Sequence, residues 1–222
     1  MTKDILSRVF VFFLFVCIFA LGLMFIKKTS HTSIRLTKPS EIKENLSPLS
    51  IEYMRGQKYP GSELIMEQKL EDGVNYSQYV ASYKSENLKI YGLLTIPTSE
   101  QPKGGFPAII FNHGYIPPEE YRTTERYVAY VAGFAKNGYV VFKPDYRGNG
   151  SSEGNPEGAY FSPAYTVDVL NALSSVKKLP YVNPQKIGMW GHSLGGNITQ
   201  RALVVNPSLL YLKRRFFVRF GN

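Results

Sequence analysis

A glycine-rich pentapeptide near the end of the chain constrains the fold more than any other feature. The sequence GHSLG occupies residues 191–195, directly after the apolar run KIGMW at 186–190 and before a stretch whose apolar residues recur every four positions. The apolar run predicts a buried strand, and the spacing after it predicts a helix. Ser193 then stands on the turn between them, where Gly191 and Gly195 leave space that a Cβ would fill. The pattern therefore predicts a serine hydroxyl that projects from the end of a sheet beside a helix N-terminus.

A second loop of chemical interest follows an earlier predicted strand. The run PAIIFN at 107–112 leads into a His-Gly pair and then Tyr115. Backbone N–H groups at such a position can stabilise the negative oxygen that forms when a carbonyl is attacked. We predict that the N–H groups of Tyr115 and Leu194 form this oxyanion hole. The alternative is a plain loop without a role in chemistry.

The remaining periodicity predicts an α/β fold. Three segments rich in β-branched and aromatic residues predict an antiparallel lead-in of strands; they are 64–70, 76–83 and 88–97. Strand-like and helix-like segments then alternate, which predicts a mostly parallel sheet with helices on both faces; the strands are 107–112, 139–143 and 186–190, and the helices are 124–138 and 162–179.

Three segments of the chain resemble the α/β-hydrolase superfamily, and within it the catalytic domain of prolyl-oligopeptidase-like serine hydrolases. They are FNHGY at 111–115, PDYRGNGSSEG at 144–154 and KIGMWGHSLGG at 186–196, in the order typical of that family. The resemblance implies a serine hydrolase, a peptidase or an esterase, that forms an acyl-enzyme on Ser193 with a peptide or ester substrate. It implies no metal and no cofactor. Arg147 is expected to make structural hydrogen bonds rather than to act in catalysis.

The chain departs from the family in its missing acid and base. In the resembled enzymes an Asp or Glu and then a His follow the nucleophile along the chain, but residues 194–222 contain none of these. His113 is expected to be structural, and the turn should direct His192 away from the Ser193 hydroxyl. No residue of this chain is therefore assigned as the triad acid or base, and we expect this chain to be inactive. The alternative is a non-catalytic hydrolase-fold binding module or a truncated relic.

The C-terminal sixteen residues differ in character from the segment before them. Residues 207–222 are basic and aromatic without an acid, where the resembled fold would continue with buried strands. We interpret 51–206 as the N-terminal part of an incomplete α/β-hydrolase domain and 207–222 as an atypical tail. Our hypothesis for the tail is a truncated reading frame, in which the last dozen or so residues are translated out of frame. A natural short variant and a tail that contacts anionic membrane are the alternatives. Loss of later strands would leave the strand 186–190 as an open edge.

The N-terminus predicts a membrane segment. Val9 to Ile26 is free of charged residues and amides and is followed by two lysines, and about 17–25 apolar residues suffice to span a bilayer as a helix. We favour an uncleaved transmembrane signal-anchor over a cleaved signal peptide, because no small-residue cleavage site follows the run. Residues 29–50 are predicted to be a linker. The domain is expected to be extracytoplasmic, since a large domain can translocate regardless of flanking charge.

The distribution of charge argues against a nucleic-acid partner. The formal net charge is +9, but the excess lies in the first fifty residues and in the tail, whereas 51–206 is nearly balanced. The single cysteine, Cys17, excludes an intrachain disulfide.

Overall fold

The computed structural model describes residues 46–158 and 160–207, together with the backbone of 217–219. The predicted membrane segment Val9–Ile26 and most of the predicted linker lie outside these residues. No helix in the described ranges is long and apolar enough to cross a bilayer. The last linker residue, Ser50, belongs to the folded part, because its hydroxyl accepts a hydrogen bond from the Tyr53 N–H and caps the first helix.

Four helices and seven strands make up the described fold. The helices are α1 (Ile51–Arg55), α2 (Val128–Lys136), α3 (Ala164–Val176) and α4 (Leu194–Val205). The strands are β1 (Ile65–Lys69), β2 (Tyr76–Ser85), β3 (Leu88–Pro97), β4 (Phe106–Asn112), β5 (Val140–Pro144), β6 (Val182–His192) and β7 (Phe217–Arg219).

All seven strands belong to one mixed sheet with the order β1-β2-β3-β5-β4-β6-β7. The first three strands pair antiparallel, as predicted. They do not form a separate unit, because β3 also pairs antiparallel with β5, with Leu94 opposite Phe142. Only β5, β4, β6 and β7 are parallel to one another. The prediction of a mostly parallel sheet is therefore right for this half and wrong for the whole.

Helices cover both faces of the sheet, because the central strands are apolar on both sides. In β4, Ile110 packs into a cluster that contains residues of α1, α3 and α4. Its neighbour Ile109 points to the opposite face and packs with Val131 and Ala135 of α2. Successive side chains of a strand alternate between faces, so an unbroken apolar run such as 108–111 supplies two cores at once.

The second helix begins later than its sequence predicts. The periodic segment starts at residue 124, but α2 begins at Val128. Tyr127, which precedes it, has φ 64° and ψ 10° in the left-handed region, and this conformation cannot continue a right-handed helix. The turn at 124–127 is therefore separate from the helix.

The strand that carries the pentapeptide is longer than predicted and is not an open edge at its C-terminal end. It extends over Val182–His192 rather than 186–190. The short strand β7 pairs with it in parallel, with Trp190 opposite Phe217 and His192 opposite Arg219. The prediction of an open edge over 186–190 is therefore wrong at residue 190.

Candidate active site

Three parallel strands end at the same edge of the sheet and place three loops together. Asn112, the last residue of β4, lies opposite Gly191 near the end of β6. Strand β5, on the other side of β4, ends at Pro144. The loops that begin at His113, Asp145 and Ser193 therefore emerge side by side, at the edge where α/β sheets usually bind ligands.

Ser193 lies on the turn between β6 and α4, as the pentapeptide predicts. Its backbone has φ 52° and ψ −118°, a strained conformation for a residue with a side chain. The residue is exposed, although Leu194 and Gly195 beside it are buried. Within the described residues, the Ser193 hydroxyl has no hydrogen-bond partner. A serine held in this way presents its oxygen at the rim of the sheet.

The two glycines of the turn are required by close backbone packing. A Cβ on Gly195 would overlap the Asn112 carbonyl and lie 2.6 Å from the His113 oxygen. A Cβ on Gly191 would overlap the Gly195 carbonyl and the Thr199 hydroxyl. The turn after β6 is thus pressed against the end of β4 at a distance that only glycine allows.

A chain of hydrogen bonds between polar groups holds the turn after β6 against the end of β4. The Asn112 side-chain N–H donates to the Thr199 hydroxyl at 2.8 Å, and that hydroxyl donates to the Gly195 carbonyl at 2.7 Å. All three residues are buried. Buried polar groups of this kind define one arrangement of the backbone when they are paired.

The predicted oxyanion donors lie on the two loops that this packing brings together. Tyr115 follows the His-Gly pair after β4, and Leu194 is the first residue of α4. Neither backbone N–H donates to any group in the described part of the chain. Tyr115 is 64% exposed, so this loop lies at the surface of the protein.

His113 is part of the scaffold of this loop. Its ring is stacked between Tyr121 and Tyr146, with centroid distances of 4.7 and 4.2 Å. Its Nδ1 lies 2.7 Å from the Gly114 carbonyl, a distance at which Nδ1–H donates. Burial, with a contribution from the positive charge of Lys143, lowers the pKa of His113 to about 3. A neutral, enclosed ring of this kind supports the expectation that His113 is structural.

His192 is held away from Ser193 by a partner of its own. Its Nδ1 lies 2.8 Å from the Tyr127 hydroxyl. Its ring is also stacked on Trp190 at a centroid distance of 6.4 Å. The side chain adjacent to the serine is therefore engaged with the other loop and does not contact the serine hydroxyl.

Asp145 is also committed to the scaffold. The Tyr121 hydroxyl donates to one carboxylate oxygen at 2.7 Å, and the Thr123 hydroxyl donates to the other at 2.5 Å. Burial raises the pKa of Asp145 to about 6, although these two bonds and Lys143 oppose the shift. Both oxygens bind the segment that follows the Tyr115 loop, and within the described residues neither bonds to a histidine ring.

Asp168 on α3 serves a different loop. Its carboxylate accepts from the Arg147 guanidinium at 2.8 Å and from the Arg147 backbone N–H at 2.9 Å. The Ser85 hydroxyl donates to it as well. Arg147 thus makes the structural bonds expected of it, and the carboxylate of Asp168 binds the loop after β5.

The described residues include no group of three His, Cys, Asp or Glu side chains arranged to hold a metal ion. The absence of a metal or cofactor from the reaction remains a prediction from the resemblance.

Sequence reasoning missed the residues that hold the two loops together. The periodicity predicts only that Tyr127 lies in the helix 124–138 and that Lys143 ends the strand 139–143. The structure places the Lys143 ammonium in the interior, where it donates to the Arg126 carbonyl at 3.1 Å and lies 5.2 Å from the centre of the Tyr121 ring. A lysine inside an otherwise apolar strand was the one available signal.

A family model for serine aminopeptidases, S33, matches residues 106–211, just under half of the chain. A curated relative, the uncharacterised peptidase YtmA of Bacillus subtilis, is 31% identical over 121 residues, which are 53% of this chain and 42% of that protein. The chain spans less than half the length of the curated relatives it matches first.

Solved structures share the fold at low sequence identity. The acetyl xylan esterase of Paenibacillus sp. R4 has a TM-score of 0.53 and 19% identity, over 77% of this chain and 61% of the esterase. Acetyl xylan esterase 1 of Thermoanaerobacterium sp. JW/SL YS485 has a TM-score of 0.54 and 16% identity, over 78% of this chain and 61% of that one.

The comparisons support the broader of the two predicted resemblances. The narrower likeness to prolyl oligopeptidases stays a prediction, as does truncation of the reading frame. The described part of the chain has an α/β-hydrolase-like fold, built on a mixed sheet, and its region 106–211 matches a family of serine hydrolases.

Proposed function

We propose that this chain carries the nucleophile and oxyanion hole of a serine hydrolase that cleaves ester or peptide bonds through an acyl-enzyme on Ser193. The supporting observation is the state of Ser193 itself. Its hydroxyl is exposed and has no partner in the described residues, while its backbone is held in a strained left-handed conformation. Strain of this kind persists only where the surrounding packing imposes it, and here it lifts a reactive atom out of the sheet.

The chemistry follows from the groups around that atom. The Ser193 oxygen bonds to the carbonyl carbon of the substrate and loses its proton to solvent water, and the carbonyl oxygen becomes an oxyanion. The N–H groups of Tyr115 and Leu194, which donate to no other group in the described residues, donate to that oxyanion. The carbon then releases its alcohol or amine, which takes up a proton, and the acyl group stays on Ser193. Loss of one oxyanion donor typically costs about 3–4 kcal/mol of transition-state stabilisation.

The base for this step is not supplied by the described side chains. His113, His192, Asp145 and Asp168 are each bound to other groups. A serine without its base retains only the rate enhancement of the oxyanion hole and of binding, about 10³–10⁴ over water. We therefore propose that this chain acylates slowly with activated substrates and turns over poorly.

Esters are the first substrate class to examine. Two solved structures of similar fold are acetyl xylan esterases, and the curated relative from Bacillus subtilis is called a peptidase. An activated ester needs less help at the leaving group than an amide, because its alcohol departs without protonation. A reactive Ser193 should therefore be easier to detect with an activated ester than with a peptide. Cleavage of a proline-containing peptide would test the resemblance to prolyl-oligopeptidase-like hydrolases.

A fluorophosphonate probe tests the proposal without requiring turnover. The probe phosphonylates a nucleophilic serine, and peptide mass spectrometry identifies the residue. We expect label on Ser193, no label in Ser193→Ala, and unchanged label in Ser151→Ala, since Ser151 is another exposed serine. A folded protein without label on Ser193 would exclude the enzyme function for this chain.

A non-catalytic binding module is the second candidate. The observation in its favour is the engagement of every described His and Asp near the rim, which leaves the serine without a base. This function predicts that a carbonyl ligand binds at the Tyr115 and Leu194 N–H groups while Ser193 stays unlabelled. Chemical-shift changes confined to these two amides, without covalent label, would favour it over the enzyme.

We further propose that residues Val9–Ile26 anchor the chain in a membrane, with the folded domain on the extracytoplasmic side. The uncharged length of this segment and its flanking lysines support the anchor. Fractionation of cells that express the full chain should place it in the membrane pellet after a carbonate wash. External protease should then degrade the domain only if it is extracytoplasmic, and recovery in the soluble fraction would contradict the anchor.

A further inference from the structure

We propose that the Tyr127 hydroxyl is a positioning group that locks the loop after β4 to the turn after β6. The inference deepens the proposed function, on which its relevance to Ser193 rests. The hydroxyl accepts a hydrogen bond from the Gly114 N–H at 3.1 Å and lies 2.8 Å from Nδ1 of His192. One oxygen therefore binds both loops of the proposed oxyanion hole.

The Tyr127 hydroxyl has the capacity for both bonds. A phenol oxygen has one proton to donate and lone pairs with which to accept, so it can accept from Gly114 and pair with Nδ1 of His192 in either direction. We call Gly114, Tyr127 and His192 the clamp. The bond to Nδ1 affects the ¹⁵N shift of that nitrogen, so the clamp is measurable independently of catalysis.

The shape of the loop matches the clamp. A Cβ on Gly114 would lie 2.5 Å from the Tyr127 oxygen and 3.1 Å from His192 Nδ1. Any other residue at 114 would push the phenol away from the imidazole. The glycine therefore makes room for the side-chain contact, and Tyr127 fills that room.

The structure holds Tyr127 in a conformation that it would not adopt alone. Its φ of 64° lies in the left-handed region, which costs a non-glycine residue about 1 kcal/mol or more. The carbonyl of Arg126 just before it is fixed by the buried Lys143 ammonium. The Tyr127 ring packs on Phe111 at 5.7 Å and on His192 at 5.7 Å. The contact at the Arg126 carbonyl and the ring packing together hold the strained Tyr127 backbone in place. This indicates that the position of the Tyr127 hydroxyl is important for the clamp.

The clamp sets the distance between the two oxyanion donors. Gly114 directly precedes Tyr115, and His192 is two residues before Leu194. When the Tyr127 oxygen binds both Gly114 and His192, the N–H groups of Tyr115 and Leu194 are held in one arrangement. A displacement of about 1 Å at such a site can cost about a hundredfold in rate.

Tyr127→Phe is the direct test, in the full-length chain. It removes one oxygen and keeps the ring packing, so the protein should remain folded. Tyr130→Phe is the matched control, because Tyr130 is a neighbouring, half-exposed tyrosine whose ring also packs on Tyr127. The readouts are hydrogen exchange of the Gly114 amide, the ¹⁵N shift of His192 Nδ1, and the rate of fluorophosphonate labelling of Ser193.

We expect Tyr127→Phe to speed exchange of the Gly114 amide by about fivefold or more, as loss of one hydrogen bond requires, and to shift the His192 Nδ1 resonance. Labelling of Ser193 should slow by about tenfold or more, while the melting temperature falls by only a few degrees because the Gly114 N–H loses its partner. Tyr130→Phe should leave all three readouts unchanged. Unaltered exchange and an unaltered His192 resonance in Tyr127→Phe would overturn the clamp, whatever happens to labelling.

A double-mutant cycle with Gly114→Ala separates positioning from general damage. Gly114→Ala alone should slow labelling because its methyl group displaces the phenol. In the Tyr127→Phe background the same change should cost at least threefold less, since the atom it strikes is gone. Additive effects would overturn the proposal. If wild-type Ser193 is never labelled, the proposed function fails, and the exchange and resonance readouts still decide the clamp.

Discussion

Gly195 at the start of α4 lies directly against the carbonyl of Asn112 at the end of β4, so closely that a Cβ on Gly195 would overlap that carbonyl. The atoms in the way are backbone atoms, which cannot rotate aside as a side chain would. This contact joins the turn that presents Ser193 to the strand that leads into the Tyr115 loop.

Gly195→Ala should therefore lower the free energy of unfolding by about 1–3 kcal/mol, the usual cost of overpacking. Gly133→Ala is the matched control, because Gly133 lies within α2 and a Cβ there meets nothing within 4 Å. The control should be neutral or should stabilise by up to about 1 kcal/mol, since alanine favours a helix. Urea unfolding of the two variants gives the comparison, and equal stabilities would refute the packing argument.

Asp168→Asn should destabilise the protein through Arg147. The carboxylate of Asp168 is fully buried and accepts from the guanidinium and from the backbone N–H of Arg147. Loss of one partner of a buried ion pair typically costs about 3–5 kcal/mol, and the exposed Glu86 carboxylate, 3.0 Å from the same guanidinium, should reduce this cost. Asp72→Asn removes a carboxylate from the exposed pair with Lys69 and should change stability little. Similar losses in both variants would show that the buried pair has no special role.

The stability of the fold should rise with pH in the alkaline range because of Lys143. Burial lowers the pKa of its ammonium from 10.5 to about 8. Between these values the folded protein binds fewer protons than the unfolded chain, so the free energy of unfolding increases with pH, by at most about 1.4 kcal/mol per pH unit. Below pH 8 this contribution is lost, because Lys143 is then charged in both states.

Chemical denaturation at pH 7.5, 8.5 and 9.5 measures this slope. In Lys143→Met most of the rise should disappear, and the remainder comes from Lys177, whose pKa burial also lowers. In Lys103→Met, which removes an exposed lysine, the rise should remain. The range stops short of pH 10, where the buried tyrosines would begin to ionise in the unfolded chain. An undiminished slope in Lys143→Met would show that another group causes it.

The sequence was sufficient to predict the elements that face a core on both sides. Strand β3 has the predicted bounds, Leu88–Pro97, and β4 differs from its prediction by one residue. Apolar periodicity is a local property, so it reports where a strand or helix lies. The turn at Ser193 was also predictable, since Gly191 and Gly195 lie two residues before and two residues after the serine, where a tight turn leaves no space for a Cβ.

The contacts that hold the loops together were not predictable in this way, because they join residues far apart in the chain. The Tyr127 hydroxyl contacts His192 and Gly114, and the Lys143 ammonium contacts the Arg126 carbonyl. In the sequence, Tyr127 is compatible with an amphipathic helix. Only its left-handed backbone, which the structure shows, reveals that it precedes the helix and joins the two loops. The pairing of β3 with β5 joins the antiparallel half of the sheet to the parallel half. Apolar periodicity does not predict this pairing, because it reports only local structure.

The most direct test of the central claim is the detection of the acyl-enzyme. The full-length chain is incubated with p-nitrophenyl acetate, and intact-protein and peptide mass spectrometry follow the acetyl group. If Ser193 is a nucleophile with an oxyanion hole and without a base for deacylation, one acetyl group should accumulate on Ser193 and persist. It should be absent in Ser193→Ala and present in Ser151→Ala. Folded wild-type protein that remains unacetylated at Ser193, or that is acetylated equally in Ser193→Ala, would contradict the account.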